Sequence, residues 1–499
     1  YGNHSPLERI RGVLKPVRWQ NNDTPPAPSQ EGKSYSRHCK WIAHFFLYPI
    51  AKPNCQLSLV NCQLSTVITS CGVGTDSAER FTMANKLIIE GGKPLMGEVP
   101  ISGMKNAALP IVFATVLVGG VCVLENIPPI SDIALSLDIL RQMGASVSYR
   151  DRTTVRIDTS ALTQGASPDA LVSRIRGSSY LVGAELGRFG RADCALPGGC
   201  DFGSRPLDLH VKGFEALGAT VHCGNRMQAD APDGLRGASI YFDKSSVGAT
   251  VNVMLASVMA RGTTVIENAA REPHIVDLAN FLNTCGAQVS GAGTTTIRVR
   301  GVEALHGCNY CIIPDMIEAG TYMVAAAATG GCVKVTSVIP KHVESISAKL
   351  SEMGLDIEEE DEAVTVRSTG ILRSINLTTI PYPGFPTDMH PQFAPLLCLA
   401  NGVSTITEGI FASRFRYVEE LRRMGANIIM GGNIATFIGG SPLMGAEVTA
   451  TDLRAGAAMV IAGTAARGVT EISGVELIER GYCDLIDKFR SLGAEISGG

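Results

Sequence analysis

No excess of positive charge runs through this sequence: 43 Lys and Arg stand against 47 Asp and Glu, for a formal net charge of −4. That excludes a broad basic surface for nucleic acid. It does not exclude an anionic small molecule, because a few cations focused in a cleft outweigh the global balance. A membrane-spanning run of about 20 apolar residues is also missing. The apolar block Trp41 to Ile50 is half that length, lies far from the first residue and ends among Pro49 and Pro53, so it is not a convincing signal peptide either. There is no HExxH, no paired CxxC and no Walker motif. The lone CxxC of Cys308 and Cys311 reads as packing rather than zinc. Fourteen cysteines scattered through apolar stretches, as at Cys122, Cys332 and Cys398, read as small hydrophobes with reduced thiols.

What is present is the composition of a soluble globular enzyme, 45% apolar and 18% charged. A chain of 499 residues is too long for a single ordinary core, so two or three domains are expected. Residues 1–82 lack sustained periodicity and mix the Pro-rich run Asp23 to Pro28 with four scattered cysteines. They read as a disordered or non-native N-terminal extension, with Met83 opening the patterned part of the chain.

From there the chain repeats itself. LRQMGASVSY, FEALGATVHC, FLNTCGAQVS, LSEMGLDIEE, LRRMGANIIM and FRSLGAEISG carry marker glycines at 144, 218, 286, 354, 425 and 493, roughly 70 residues apart. In LDILRQMGASVSY, Leu137, Ile139, Leu140 and Met143 give one apolar helical face. Gly144 then suits a left-handed helix end, and Ala145 to Tyr149 alternate as a half-buried strand does. Each repeat is therefore a helix running through a glycine into a strand, and six such α/β units sort naturally into two domains of three. Segments apolar nearly all round, such as Val247 to Ala260 and Tyr322 to Ala328, are expected to be buried helices.

The segment richest in chemistry is LPGGCDFGSRPLDLH, Leu196 to His210. Glycines 198, 199 and 203 let a loop move and bring its backbone close to a ligand. Arg205 nearby would stabilise a Cys200 thiolate and recognise phosphate or carboxylate. Pro206 opens an amphipathic helix whose free N–H groups add to an anion site.

This string resembles the catalytic loop of the UDP-N-acetylglucosamine enolpyruvyl transferases, and further motifs carry the resemblance from Met83 to Gly499. GMKNAALP places Lys105 at an anion-binding lysine and Asn106 at a sugar-contacting asparagine. RIRGSSYLVGAELGRFG places Arg176 at a cleft arginine. DKSSVGAT supplies Lys244, Ser246, Val247 and Gly248, similar to a uridine-binding turn. GFPTDMHPQF puts Asp388 at an essential carboxylate, and FASRF, DLRAG and ERGY supply Arg414, Arg454 and Arg480. Pro206, Leu207, Asp208, Leu209, His210 and Ile410 are carried over as substrate-binding positions.

The resemblance implies an α/β (α+β) fold of two similar domains, each an inside-out barrel of three repeated units with helices inside and sheets outside. Residues 83–103 with 314–499 would form one domain and 104–313 the other, with crossings near Gly103 and Ile313 and the site in the cleft. It implies transfer of the enolpyruvyl group of phosphoenolpyruvate to the 3-hydroxyl of UDP-N-acetylglucosamine, by addition and then elimination of phosphate, in peptidoglycan synthesis in the cytoplasm. Lys105, Arg205 and Arg480 would hold the phosphate, and Arg454 with Arg480 the carboxylate. Asp388 would be the base, and Cys200 either the acid for C3 or a nucleophile holding a covalent adduct. No metal or organic cofactor is expected, since the substrate carries the activated enol, and Cys200 implies sensitivity to fosfomycin. Met316 stands where such proteins commonly have Arg, His274 where they have Glu, and Ala412 where some have an acidic residue. The rival readings are 5-enolpyruvylshikimate-3-phosphate synthase, which lacks the Cys loop, and a non-catalytic UDP-sugar binder.

Overall fold

Among the described residues, six α-helices leave none of their residues exposed, and they take the interior. The computed structural model describes residues 86–163, 167–196, 198, 207–411 and 413–499. Three of the helices, Lys105–Val118, Tyr180–Phe189 and Val247–Ser257, pack on one another. A second trio, Met316–Thr329, His390–Leu399 and Leu453–Ala465, does the same. Small residues permit the close approach. Gly183 lies so near the backbone of Asn252 that an added Cβ would sit 2.5 Å from its carbonyl oxygen.

The amphipathic helices lie outside these trios, and the glycine markers end them as the sequence predicts. Gly144, Gly218, Gly286, Gly354, Gly425 and Gly493 all have φ between +89° and +104°, where a side chain is disfavoured. Each of the six follows a helix, as at Ser131–Gln142, and precedes a strand, as at Ser146–Tyr149.

Among the described residues, five four-stranded sheets share one plan. In each, a strand has one parallel and one antiparallel neighbour, and a fourth strand lies antiparallel beyond the latter. Val121–Glu125, for example, runs parallel to Asn309–Cys311 and antiparallel to Val155–Asp158, in the register Cys122 to Ile157. Cys332–Thr336 does the same between Met96–Pro100 and Ala363–Arg367. The sixth sheet, built on Arg191–Ala195, Arg226–Asp230 and Thr220–Cys223, has three strands among the described residues. Buried residues alternate along these strands, so one face of each sheet covers the helices and the other is polar. The fold is thus α/β, with helices inside and sheets outside. Three sheets use strands from 121–311, and three use strands from 86–100 and 332–498.

Two passages of chain run side by side where these sets meet. Gly103 bridges Pro314, and the Met104 N–H donates to the Ile313 carbonyl at 2.7 Å. The buried carboxylate of Asp315 joins two helices here. One oxygen accepts from Ile317 and Glu318, and the other from the N–H of Lys105 at 3.2 Å. This is the local reason that Lys105 begins its helix where it does. Nothing in the sequence pattern had singled out Asp315.

Candidate active site

The ends of several inner helices converge on a cavity of about 180 Å³ lined by Lys105, Asn106, Asp132, Arg176, Asp388, Arg414, Arg454 and Arg480, with Leu109, Gly177, Tyr180 and Leu453. Seven of these polar residues were marked in the sequence. The eighth, Asp132, was not.

Two carboxylates organise the cations. Asp132 accepts the Lys105 ammonium at 2.7 Å and Arg480 Nε at 2.9 Å. Asp388 accepts Arg414 at 2.5 Å on one oxygen and Arg454 at 3.1 Å on the other. Burial works to raise the Asp388 pKa, but the two guanidinium charges and their hydrogen bonds outweigh it and hold the carboxyl far below the usual range. Asp132 is lowered in the same way, by Lys105 and Arg480 against burial. Burial draws the Lys105 ammonium down; Asp132 pulls the other way, and Arg454 and Arg480 add to the lowering. Five cations face two carboxylates in this cavity, leaving room for anionic charge from a ligand.

The supports of these side chains are built into the fold. Asp452 caps the helix Leu453–Ala465 by accepting from the N–H of Arg454 at 2.9 Å, which fixes where Arg454 leaves the backbone. Its guanidinium carbon then lies 5.6 Å from the centre of the Tyr482 ring. Arg414 donates to Thr387 Oγ1 at 3.0 Å, and Thr387 donates to Glu408 at 2.8 Å. Asp388 itself caps nothing: the helix His390–Leu399 begins after Met389, without a side-chain cap. Its side chain keeps 27% exposure, and it lines the cavity.

Other marked residues form a second group. Ser246 caps the helix Val247–Ser257 through Ala249 N–H at 3.3 Å. The buried His210 lies against Gly248, where an added Cβ would meet its Nε2 at 2.9 Å. Burial lowers the His210 pKa to about 4, and Arg176 adds to this, which ties the second group to the cavity wall. Leu207 and Leu209 are half-buried beside His210, while Asp208, Lys244 and Ile410 are exposed. None of these residues lines the cavity.

Cys200, Arg205, Pro206 and Ala412 lie outside the described residues, as does the extension 1–82. The approach to the loop is described at Gly198, whose backbone runs so close to Ser173 that a Cβ would sit 1.8 Å from its carbonyl oxygen. Met316 is buried at the first turn of its helix, beside the Asp315 cap. His274 is buried too; burial lowers its pKa against the pull of Glu272, Asp388 and Asp315. No described helix is long and apolar enough to cross a membrane.

The fold is that of the enolpyruvyl transferases. Aligned with an enolpyruvyl transferase, NikO from Streptomyces tendae, the structure gives a TM-score of 0.74 at 27% identity, over 83% of this chain and 98% of the other. An EPSP synthase from Acinetobacter baumannii shares the fold, with a TM-score of 0.66 at 21% identity over 83% and 100%. Residues 89–489 match the family described as EPSP synthase (3-phosphoshikimate 1-carboxyvinyltransferase). UDP-N-acetylglucosamine 1-carboxyvinyltransferase 2 of Clostridium acetobutylicum is 54% identical over 413 residues, 83% of this chain and 99% of the other. The UDP-N-acetylglucosamine 1-carboxyvinyltransferase of Clostridium botulinum is 53% identical over the same shares. The chain belongs to the EPSP synthase family, and within it to the UDP-N-acetylglucosamine 1-carboxyvinyltransferases. It is a transferase.

Proposed function

We propose that this protein transfers the enolpyruvyl group of phosphoenolpyruvate to the 3-hydroxyl of UDP-N-acetylglucosamine, releasing phosphate, as the first committed step of peptidoglycan synthesis in the cytoplasm. The observation that carries this reading is the pairing of Lys105 and Arg480 on Asp132 and of Arg414 and Arg454 on Asp388, in a cavity lined by all six. The names of the relatives supply the acceptor and the group transferred.

The two carboxylates act as internal stand-ins for substrate anions. Phosphoenolpyruvate brings a phosphate and a carboxylate, and these compete for the cations that Asp132 and Asp388 hold. Lys105 and Arg480, joined by Arg205, take the phosphate; Arg454 and Arg480 take the carboxylate, where the planar fork of Arg matches the geometry. As Arg454 turns to the substrate, Asp388 loses one of the charges that suppress its basicity. Its pKa then rises toward the range in which it accepts the proton of the attacking sugar hydroxyl. The hydroxyl oxygen bonds to C2 while C3 gains a proton. The tetrahedral intermediate then loses a proton from its C3 methyl group together with phosphate, which restores the carbon–carbon double bond and leaves the enol ether of the sugar. Cations set in place before reaction stabilise the departing phosphate. Cys200 serves as the acid for C3 or as a nucleophile that holds a covalent phospholactoyl adduct.

Residues 83–103 with 314–499 and residues 104–313 act as two domains that close on the substrates, with Asp315 at their junction. Lys244, Ser246, Val247 and Gly248 contact the uridine, Asn106 the sugar, and Leu207 to His210 with Ile410 the rest of the nucleotide sugar. No metal or organic cofactor takes part in this chemistry.

Phosphate release from the purified full chain tests the proposal, with Cys200→Ala and a fosfomycin-treated sample alongside. Release that requires both substrates and is lost with fosfomycin supports it. Release with shikimate 3-phosphate in place of the nucleotide sugar would favour the synthase reading. Sugar binding by folded protein without any release would favour a non-catalytic binder.

A further inference from the structure

Three cysteines far apart in the sequence meet at one point away from the cavity. The sulfurs of Cys122, Cys285 and Cys308 all lie within 4.8 Å of one another, and those of Cys285 and Cys308 are 3.3 Å apart. Cys122 and Cys285 are buried and Cys308 is half-exposed. The backbone holds them there. Val123 donates its N–H to the Cys308 carbonyl at 2.8 Å, where Asn309–Cys311 runs parallel to Val121–Glu125, and this sets residue 308 beside residue 122. His306 donates its N–H to the Cys285 carbonyl at 2.9 Å, which draws the same segment against the end of the helix Pro273–Thr284. Cys122 lies on the strand Val121–Glu125 that follows the helix Lys105–Val118, and none of the three cysteines lines the cavity.

We propose that Cys122, Cys285 and Cys308 form a three-thiolate site for one thiophilic d10 metal ion, zinc or cuprous copper, with a structural role separate from the transfer chemistry. Metal–sulfur bonds of about 2.3 Å set thiolates about 3.8–4.0 Å apart around one ion; the Cys285–Cys308 separation of 3.3 Å is a little shorter than that, and all three sulfurs lie within 4.8 Å. Packing alone explains the site less well. Cys398, a buried cysteine in the other trio of helices, belongs to no such sulfur cluster among the described residues. A disulfide would join two of the sulfurs at about 2.05 Å and leave a third thiol over. Binding breaks three S–H bonds, forms three metal–sulfur bonds and releases three protons to solvent, with no change of oxidation state. The half-exposed Cys308 marks the side from which an ion and a fourth ligand enter. Cys308 therefore works with Cys122 and Cys285 and not with Cys311, its partner in the CxxC.

The test is a Co2+ titration of the full chain, purified without air, stripped with a chelator and freed of reductant, and followed by thiolate-to-cobalt charge-transfer absorption. Wild type should take up one Co2+ at a three-thiolate site. Cys311→Ser should match it, and Cys308→Ser should lose affinity by more than the 10–100-fold, roughly, that loss of an outer-sphere partner costs. Displacement by Zn2+, or by Cu+ delivered from a chelator of known affinity, then separates the two ions. Alkylation of wild type with peptide mapping guards against a misfolded variant: Cys308 should be labelled in the stripped protein and protected once Zn2+ is bound. Equal charge-transfer bands in wild type and Cys308→Ser overturn the proposal, as does equal labelling of Cys308 with and without Zn2+. A Cys285–Cys308 disulfide formed in air, with no metal uptake after reduction, overturns it in favour of a redox pair.

Discussion

The ammonium of Lys105 lies 2.7 Å from a carboxylate oxygen of Asp132, and that carboxylate also accepts Arg480. Removing one member of a buried ionic group leaves the others uncompensated, at a cost of about 3 kcal/mol or more. Asp132→Asn should therefore lower the unfolding free energy by about that amount, measured by urea titration. An anion that replaces the lost charge should restore part of it. Inorganic phosphate should stabilise the variant more than the wild type, and equal stabilisation of both would show that Asp132 does not hold the anion site's cations.

Asp388 poses a different question, because its carboxyl is held far below the ordinary range by Arg414 and Arg454. A carboxylate so strongly paired is a poor base until the pair loosens. Asp388→Asn should keep binding UDP-N-acetylglucosamine while kcat falls by about 100- to 10,000-fold, the usual worth of a positioned base. Single-turnover phosphate release with both substrates saturating reads the effect. A loss confined to KM would make Asp388 a binding residue only.

The repeat architecture was legible in the sequence because its markers are local. A glycine at positive φ after an amphipathic helix and before an alternating strand leaves the same trace six times. The cavity cations were legible through motif resemblance, and Lys105, Arg176, Arg414, Arg454 and Arg480 do line one cavity. Their carboxylate partner Asp132 was not legible, because it lies 348 residues from Arg480 and sits in the first turn of an ordinary amphipathic helix. Asp315 was hidden for the same reason: the groups that donate to its carboxylate are backbone N–H groups, one of them 210 residues away. Cys308 reads as packing in the sequence, as half of a lone CxxC, and the parallel strand pairing that sets it beside Cys122 leaves no local trace there.

Glu185 predicts a pH dependence. It is 2% exposed on an inner helix, accepts from Cys194 at 3.4 Å and Ser167 at 3.3 Å, and burial raises its pKa from 4.5 to about 7 despite those bonds. Between these values the folded state keeps a proton that the unfolded chain has lost. Stability therefore falls as pH rises from about 4.5 to about 7 and levels off above, a total of up to about 3 kcal/mol. Glu185→Gln should remove this slope. Urea unfolding of both proteins at pH 5 and pH 8 checks it, since groups common to the two cancel in the comparison. An unchanged slope would mean that Glu185 ionises normally.

Two glycines should resist alanine for different reasons. Gly144 has open space around its missing Cβ but a φ of +104°, so Gly144→Ala meets only backbone strain, about 1–2 kcal/mol. Gly183 has no such φ. Its N–H donates to Asn252 Oδ1 at 3.0 Å, and a Cβ would stand 2.5 Å from the Asn252 carbonyl oxygen and 2.9 Å from that same Oδ1. Gly183→Ala must push two inner helices apart, at a cost of about 1–3 kcal/mol. Partners distinguish the two cases. Shortening Asn252 to Ala removes the side-chain clash and should recover part of the Gly183→Ala loss while leaving the Gly144→Ala loss untouched. A double-mutant cycle by denaturant unfolding reads the coupling. Zero coupling between positions 183 and 252 would show that the helices yield freely at this seam, against the close packing described for the inner trio.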